Sequence, residues 1–182
     1  MPTESKPIQL GISCPDFELK GTDDKSHSLR SYSSSKVLVV GFTCNHCPYV
    51  KAYEDRINAL AKNYQGREVS IVCINSNDAV NYPEDSFDAM KSRAREKGFV
   101  FDYLHDETQA IAKAFNAACT PEFYVFDPER KLRYHGRLDD NTHEAQNVKE
   151  HFLQNAIESI LNSSPIKVEK THALGCSIKW KK

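Results

Sequence analysis

Residues Val37–Phe42 read VLVVGF and run straight into Thr43-Cys44-Asn45-His46-Cys47-Pro48, after which a helical stripe begins. A continuous β-branched apolar run of this kind is what a strand buried on both faces requires. Val50, Tyr53, Ile57, Leu60 and Tyr64 then recur at spacings of three and four. That spacing predicts a helix from about Asn45 to Gln65 with one apolar stripe, stopped by Gly66. A doubly buried strand feeding a covering helix restricts the chain to an α/β architecture.

The same signals continue downstream. Val69–Ile74 and Val100–Leu104 read as further strands, and Phe123–Phe126 with Lys131–His135 as a hairpin turned by Asp127-Pro128-Glu129-Arg130. Pro83-Glu84-Asp85 suits a helix start, and that helix is expected to run to about Lys97, where Gly98 stops it. A short helix is expected over Glu107–Asn116 and a last one over about Asn147–Leu161, broken by Asn162–Pro165. The order β-α-β-α-β-α-β-β-α describes a mixed central sheet covered by helices. At 182 residues the chain suggests one domain, with a polar N-terminal extension (1–36), a core (37–161) and a C-terminal tail (162–182).

Charge and hydropathy exclude several classes of function. The net charge of −1 gives no electrostatic case for nucleic acid or an anionic membrane as main partner. The apolar runs are far short of the ~20 residues of a membrane span. The first ten residues, MPTESKPIQL, lack the apolar stretch of a secretory leader, so the expected location is the cytoplasm.

Of the six cysteines, Cys14, Cys44, Cys47, Cys73, Cys119 and Cys176, only Cys44 and Cys47 are close in sequence. C-x-x-C beside a βαβ pattern is a redox signal rather than half of a zinc site, because no second ligand pair stands at zinc spacing. At a helix start, free N–H groups and the dipole favour a thiolate. Cys44 is expected to be the more exposed nucleophile, with its pKa below that of a free thiol. Cys47 is expected to resolve the mixed disulfide. His46 between them is expected to stabilise the Cys44 thiolate by donation or by charge. Thr120-Pro121 is a candidate cis peptide bond. A loop of that kind facing the cysteines would present an unpaired backbone edge to a substrate strand. Thr43, Thr120 and Pro121 are therefore read as substrate contacts.

Strand, TCNHC and helix followed by CTPEFYVFD resemble the thioredoxin fold. More closely, the sequence resembles the cytosolic thioredoxin-like group of the AhpC/TSA (redoxin) family. The matching segments are Phe42–Val50, Cys119–Asp127, the GRLDD turn at Gly136–Asp140 and GCSIKW at Gly175–Trp180. The resemblance implies a thioredoxin-like α/β fold, a Cys44–Cys47 redox pair and Pro121 as the cis-proline. It departs from ordinary thioredoxin at Thr43, which replaces a Trp, and at Asn45-His46, which replaces Gly-Pro. Lys36–Phe42 also carries no acidic residue where thioredoxin buries a carboxylate. Glu122 is a candidate proton acceptor for Cys47 in its stead.

Cys119 is expected near Cys44, either as a third redox thiol or as filling. Cys176 lies in a tail that folds back with Trp180 as its anchor, as packing or as a second resolving thiol. Cys73 and Cys14 are read as structural. His27, His105, His135, His143, His151 and His172 are read as surface or loop residues. The reading that results is a thiol–disulfide oxidoreductase with no organic cofactor and no metal. Its partners would be a protein or small-molecule disulfide and a thiol reductant. A thiol peroxidase is the alternative, although neither cysteine stands in P-x-x-x-T-x-x-C: Gly41 and Val37 precede Cys44 at those positions, and Cys44 and Val40 precede Cys47. A metal-binding or redox-sensing module built on Cys44, Cys47 and Cys119 is the third reading.

Overall fold

The computed structural model describes residues 2–182. A seven-stranded mixed sheet forms the centre, with strand order β3-β2-β6-β5-β4-β8-β9. Its strands are β2 (Glu18–Gly21), β3 (Ser26–Ser28), β4 (Val37–Phe42), β5 (Val69–Asn75), β6 (Asp102–His105), β8 (Glu122–Phe126) and β9 (Leu132–Gly136). β4, β5 and β6 run parallel, whereas β8, β9, β2 and β3 are added antiparallel. A small second sheet joins β1 (Thr3–Glu4), β10 (Leu174–Ser177) and β7 (Cys119–Thr120) in the order β1-β10-β7. The helices are α1 (Pro48–Asn63), α2 (Phe87–Lys97), α3 (Ala110–Ala114) and α4 (Phe152–Leu161). None of the helices among the described residues is long and apolar enough to cross a membrane.

The central strand splits the core into two layers. Val37 and Val39 of β4 pack with Tyr53, Ile57 and Leu60 of α1 and with Leu153, Ala156 and Ile157 of α4. Leu38, Val40 and Phe42 face the other way, onto Ala112 of α3 and onto Phe17 and Tyr32 of the N-terminal segment. Each such side chain, fully buried, contributes about 1.5–3 kcal/mol, so both layers are needed to hold β4. Gly41 is required by packing: a Cβ there would lie 2.8 Å from the Phe123 ring. α2 begins on Ser86, whose hydroxyl accepts from Ala89 N–H at 3.3 Å, and ends on Gly98 at φ +60°. Those are the cap types that satisfy orphan backbone groups at each end.

The elements follow the sequence pattern, with differences at their bounds and edges: the helix expected from Pro83 begins at Phe87, behind a separate turn over Pro83–Asp85, and the short one expected over Glu107–Asn116 is Ala110–Ala114. Residues 18–28 supply an edge hairpin of the main sheet, where a plain extension was expected. Its segments, ELKG and SHS, are too polar to show strand periodicity. The third strand starts at Asp102 rather than Val100, because Val100 N–H turns aside to the Asn58 side-chain oxygen at 2.9 Å. The last helix starts at Phe152 rather than Asn147. Lys149 N–H is instead taken by the Asp140 carboxylate at 2.9 Å, which holds the preceding loop out of the helix.

The tail folds back, but Trp180 is not its anchor. Trp180 is exposed, with Lys113 over its ring, and buried Ile178 packs into the core instead. Gly175 in β10 lies so close to Thr120 that a Cβ would run into the Thr120 carbonyl. Gly175→Ala is therefore expected to cost about 1–3 kcal/mol and to loosen β10, because a backbone atom cannot step aside as a side chain can. Thermal melting together with the rate of Cys176 alkylation checks this; an unchanged melt and an unchanged rate would contradict the packing.

Candidate active site

β4 ends at Phe42, and Thr43 N–H still pairs with the Ile74 carbonyl at 2.9 Å. The chain then turns through Cys44-Asn45-His46, and Cys47 becomes the residue before the first turn of α1, with Pro48 at its first position. Proline is suited there because its missing N–H would have had no helical partner. The Thr120–Pro121 peptide bond opposite is cis. Cys44 Sγ lies 3.4 Å from the Thr120 hydroxyl, and Cys47 Sγ lies 3.3 Å from the Thr120 carbonyl. Cys176 of β10 completes the group, its Sγ 2.7 Å from Cys47 Sγ.

The electrostatics of the two thiols differ in direction. Both cysteines are buried, Cys44 at 2% and Cys47 at 0% exposure, so neither stands open to solvent. Cys47 is held below the ordinary thiol value. The neighbouring Cys44 thiol lowers it first of all; burial opposes, and Cys176 and the Val50 backbone lower it further. Cys44 is raised well above the ordinary value by that same bond to Cys47, by burial and by the Asp85 carboxylate. The start of α1 therefore favours a thiolate on Cys47 over one on Cys44, while as a thiol Cys47 donates to the Thr120 carbonyl at 3.3 Å.

His46 does not face the sulfurs as a donor. Its Nδ1 bonds the Asp85 carboxylate and its ring stacks on Tyr82 with centroids 5.4 Å apart. Asp85, fully buried, also accepts from Asn45 N–H at 2.6 Å and from Asn77 Nδ2 at 2.8 Å. In the sequence Asp85 reads only as an acid at a helix start, 39 residues from His46, and no spacing signal links the two. Cys44 Sγ, a His46 ring nitrogen and an Asp85 oxygen lie within 4.8 Å of one another, and among the described residues this is the group of three that would suit a metal ion. Its nitrogen and oxygen atoms are already engaged with each other and with the asparagines. Cys119 is outside that group: its Sγ lies 3.7 Å from Glu122 and 3.8 Å from the Ala173 carbonyl.

Glu122 is fully buried and touches neither Cys44 nor Cys47 by hydrogen bond. It accepts from Ala118 N–H at 2.8 Å, Cys119 N–H at 3.2 Å, Tyr124 O–H at 2.8 Å and His135 Nε2 at 2.7 Å. His135 is thus a buried partner, not a surface residue. The network fixes the Ala118–Thr120 backbone that faces the cysteines. Thr43 is buried, and its hydroxyl hydrogen-bonds to Cys73. The Thr120 edge is already paired with β10, Cys176 opposite Thr120, so the open substrate edge expected there is covered by the chain's own tail. Burial pushes Cys14 and Cys73 up to about 12, in keeping with structural thiols.

The AhpC/TSA family pattern matches residues 10–135. The chain belongs to the AhpC/TSA family. No curated protein matches this AhpC/TSA chain. It is 42% identical to an uncharacterized conserved protein from Geobacillus kaustophilus, with a TM-score of 0.95 over 100% of this chain and 97% of that one. It is 34% identical to a hypothetical protein from Sinorhizobium meliloti 1021, with a TM-score of 0.94 over 98% of each chain. A thiol:disulfide interchange protein (DsbE) from Chlorobium tepidum shares the fold at 18% identity and a TM-score of 0.66, over 85% of this chain and 99% of that one. Thiol–disulfide oxidoreductases and peroxiredoxins both occur among the structural neighbours, which establishes a thioredoxin-like fold for this AhpC/TSA protein.

Proposed function

We propose that this protein is a thiol–disulfide oxidoreductase working through Cys44 and Cys47. The observation that carries the reading is the placement of Cys44 and Cys47 between the end of β4 and the start of α1, both facing Thr120, with Cys44 Sγ 3.4 Å from its hydroxyl and Cys47 Sγ 3.3 Å from its carbonyl. A thiolate so held attacks one sulfur of a substrate disulfide and expels the other as a thiolate. The mixed disulfide on Cys47 is then attacked by Cys44, which leaves a Cys44–Cys47 disulfide and a second substrate thiolate. An external thiol reductant restores the dithiol. The roles of the two cysteines are thus the reverse of those read from sequence. Thr120 and Pro121 frame the sulfurs, and the Asp85 carboxylate, next to Cys44, disfavours charge on that thiol.

The test is turnover of oxidised glutathione with dithiothreitol as reductant, set beside consumption of hydrogen peroxide under the same conditions. Disulfide turnover that requires Cys47 supports the proposal. Peroxide consumption without disulfide turnover would overturn it in favour of a peroxidase.

A pH dependence follows from the lowered Cys47 pKa. Thiolate absorbance in the ultraviolet, taken as the difference between wild type and Cys47→Ser, is expected to be fully developed by about pH 7, below the ~8.5 of a free thiol. The groups facing Cys47 are Cys44, Cys176 and, beyond Cys176, Lys179. A difference signal that instead grows through about pH 8–9 would place Cys47 among ordinary thiols.

A further inference from the structure

The tail strand occupies the place where a substrate strand would add. β10 runs antiparallel to β7, with Cys176 opposite Thr120 and Ser177 opposite Cys119. Beyond it, Ile178 N–H bonds the Ala118 carbonyl at 3.1 Å and Lys179 N–H bonds the Asn77 side chain at 2.9 Å. These bonds set Cys176 on Cys47, sulfur to sulfur at 2.7 Å, so joining them needs only a sub-ångström approach to the ~2.05 Å of a bond. Of the three thiols in the group, Cys44 and Cys47 are buried, and Cys176 alone is half-buried with a solvent-facing side.

We propose that Cys176 is a second resolving thiol, which takes Cys47 out of a mixed disulfide into a Cys47–Cys176 disulfide. The proposal rests on the reading of Cys47 as the attacking thiolate. In the first step the Cys47 thiolate bonds one sulfur of an external disulfide and the other sulfur leaves as a thiolate. In the second step Cys176 gives its proton to solvent and its sulfur attacks Cys47 Sγ. The bond from Cys47 to the substrate sulfur breaks, and the second substrate thiolate leaves. Two electrons have moved from the Cys47–Cys176 pair to the external disulfide, and an external dithiol returns them.

Electrostatics favour Cys176 over Cys44 at the second step. Burial, the hydrogen bond to Cys47 and the Cys47 charge hold the Cys176 proton in place, while Lys179 favours its loss. Once Cys47 is in a mixed disulfide its charge is gone, and so is the thiolate acceptor for Cys176. The same event relieves Cys44 of its bond to Cys47, but Cys44 keeps its deeper burial and the Asp85 charge. Cys176 is therefore the thiol released to ionise when there is a mixed disulfide to resolve.

The test uses the full chain as wild type, Cys44→Ser, Cys176→Ser and Cys176→Ala, each treated with oxidised glutathione and followed by intact mass. Trypsin releases Cys44 and Cys47 together in residues 37–51 and Cys176 in residues 171–179. Cys44→Ser is expected to shed glutathione and to yield those two peptides joined by a disulfide. Cys176→Ser and Cys176→Ala are both expected to hold glutathione on Cys47 at least about tenfold longer than wild type. Alanine keeps a small apolar group at the position, so agreement of the two variants separates chemistry from misfolding. Cys44→Ser retaining glutathione with Cys176 free, and Cys176 variants shedding it at the wild-type rate, would overturn the proposal and leave the Cys44–Cys47 pair standing. If neither a glutathione adduct nor any internal disulfide forms in wild type, the proposed function falls with it.

Discussion

Replacing Cys47 by serine is expected to lower disulfide turnover by at least about 100-fold, a larger loss than Cys44→Ser produces. The nucleophile is the thiolate, and each unit of thiol pKa changes the thiolate fraction about tenfold above neutral pH. Cys47 lies below the ordinary value and Cys44 well above it, so Cys44 cannot take over the attack. Cys44→Ser keeps a hydroxyl to donate to Cys47 and leaves the helix N–H groups in place, so a mixed disulfide still forms. Single-turnover formation of the glutathione adduct, read by mass, separates the two variants. A Cys47→Ser protein that forms the adduct on Cys44 at the wild-type rate would return the attacking role to Cys44.

Glu122→Ala is expected to destabilise the fold by about 3 kcal/mol or more, since each buried donor left without its acceptor costs about 1–3 kcal/mol. Four donors would lose their acceptor: His135, the Tyr124 hydroxyl and the N–H groups of Ala118 and Cys119. For a chain of this length the melting temperature should fall by roughly 10 °C. Glu122→Gln keeps an acceptor oxygen and should lose less. The same carboxylate contributes to acid sensitivity. Burial works to raise its pKa, but the bonds from His135, Ala118 N–H and Tyr124, with the His135 charge, outweigh it and leave the pKa lowered. A group lowered on folding contributes stability that is fully present above the ordinary carboxyl range and is lost as pH falls through the depressed value. Melting curves of wild type and Glu122→Gln from neutral to acidic pH check the sign: the gap between them should close on acidification. A Glu122→Ala melt within about 2 °C of wild type would remove the network from the account.

The parts legible in the sequence are those with local signals. VLVVGF announces a doubly buried strand because β-branched residues on both faces have nowhere else to go. The C-x-x-C before a helix is legible because the position of a thiol at a helix start carries its own chemistry. Glu122 was singled out as a carboxylate near the cysteines, but its role was not. It holds the Ala118–Thr120 backbone instead of bonding Cys47, and nothing in Cys119-Thr120-Pro121-Glu122 hints that Tyr124 and His135 enclose it. The polar hairpin of β2 and β3 was missed for a related reason: an edge strand is held by its neighbour's backbone, which side-chain pattern does not report.

By itself the sequence determined the α/β class, the strand that ends at Phe42, the helix that starts beside Cys47, and the cysteine pair set between them. All of these depend on periodicity or on neighbours within one turn. The tertiary structure decided the surroundings of the two thiols, because Asp85, Thr120 and Cys176 reach them from distant segments. It also decided that His46 belongs to Asp85 rather than to sulfur, and that the tail covers the Thr120 edge with Cys176 on Cys47. A pKa and a strand pairing are set by what stands within a few ångströms in space, and for these residues the neighbours come from far along the chain.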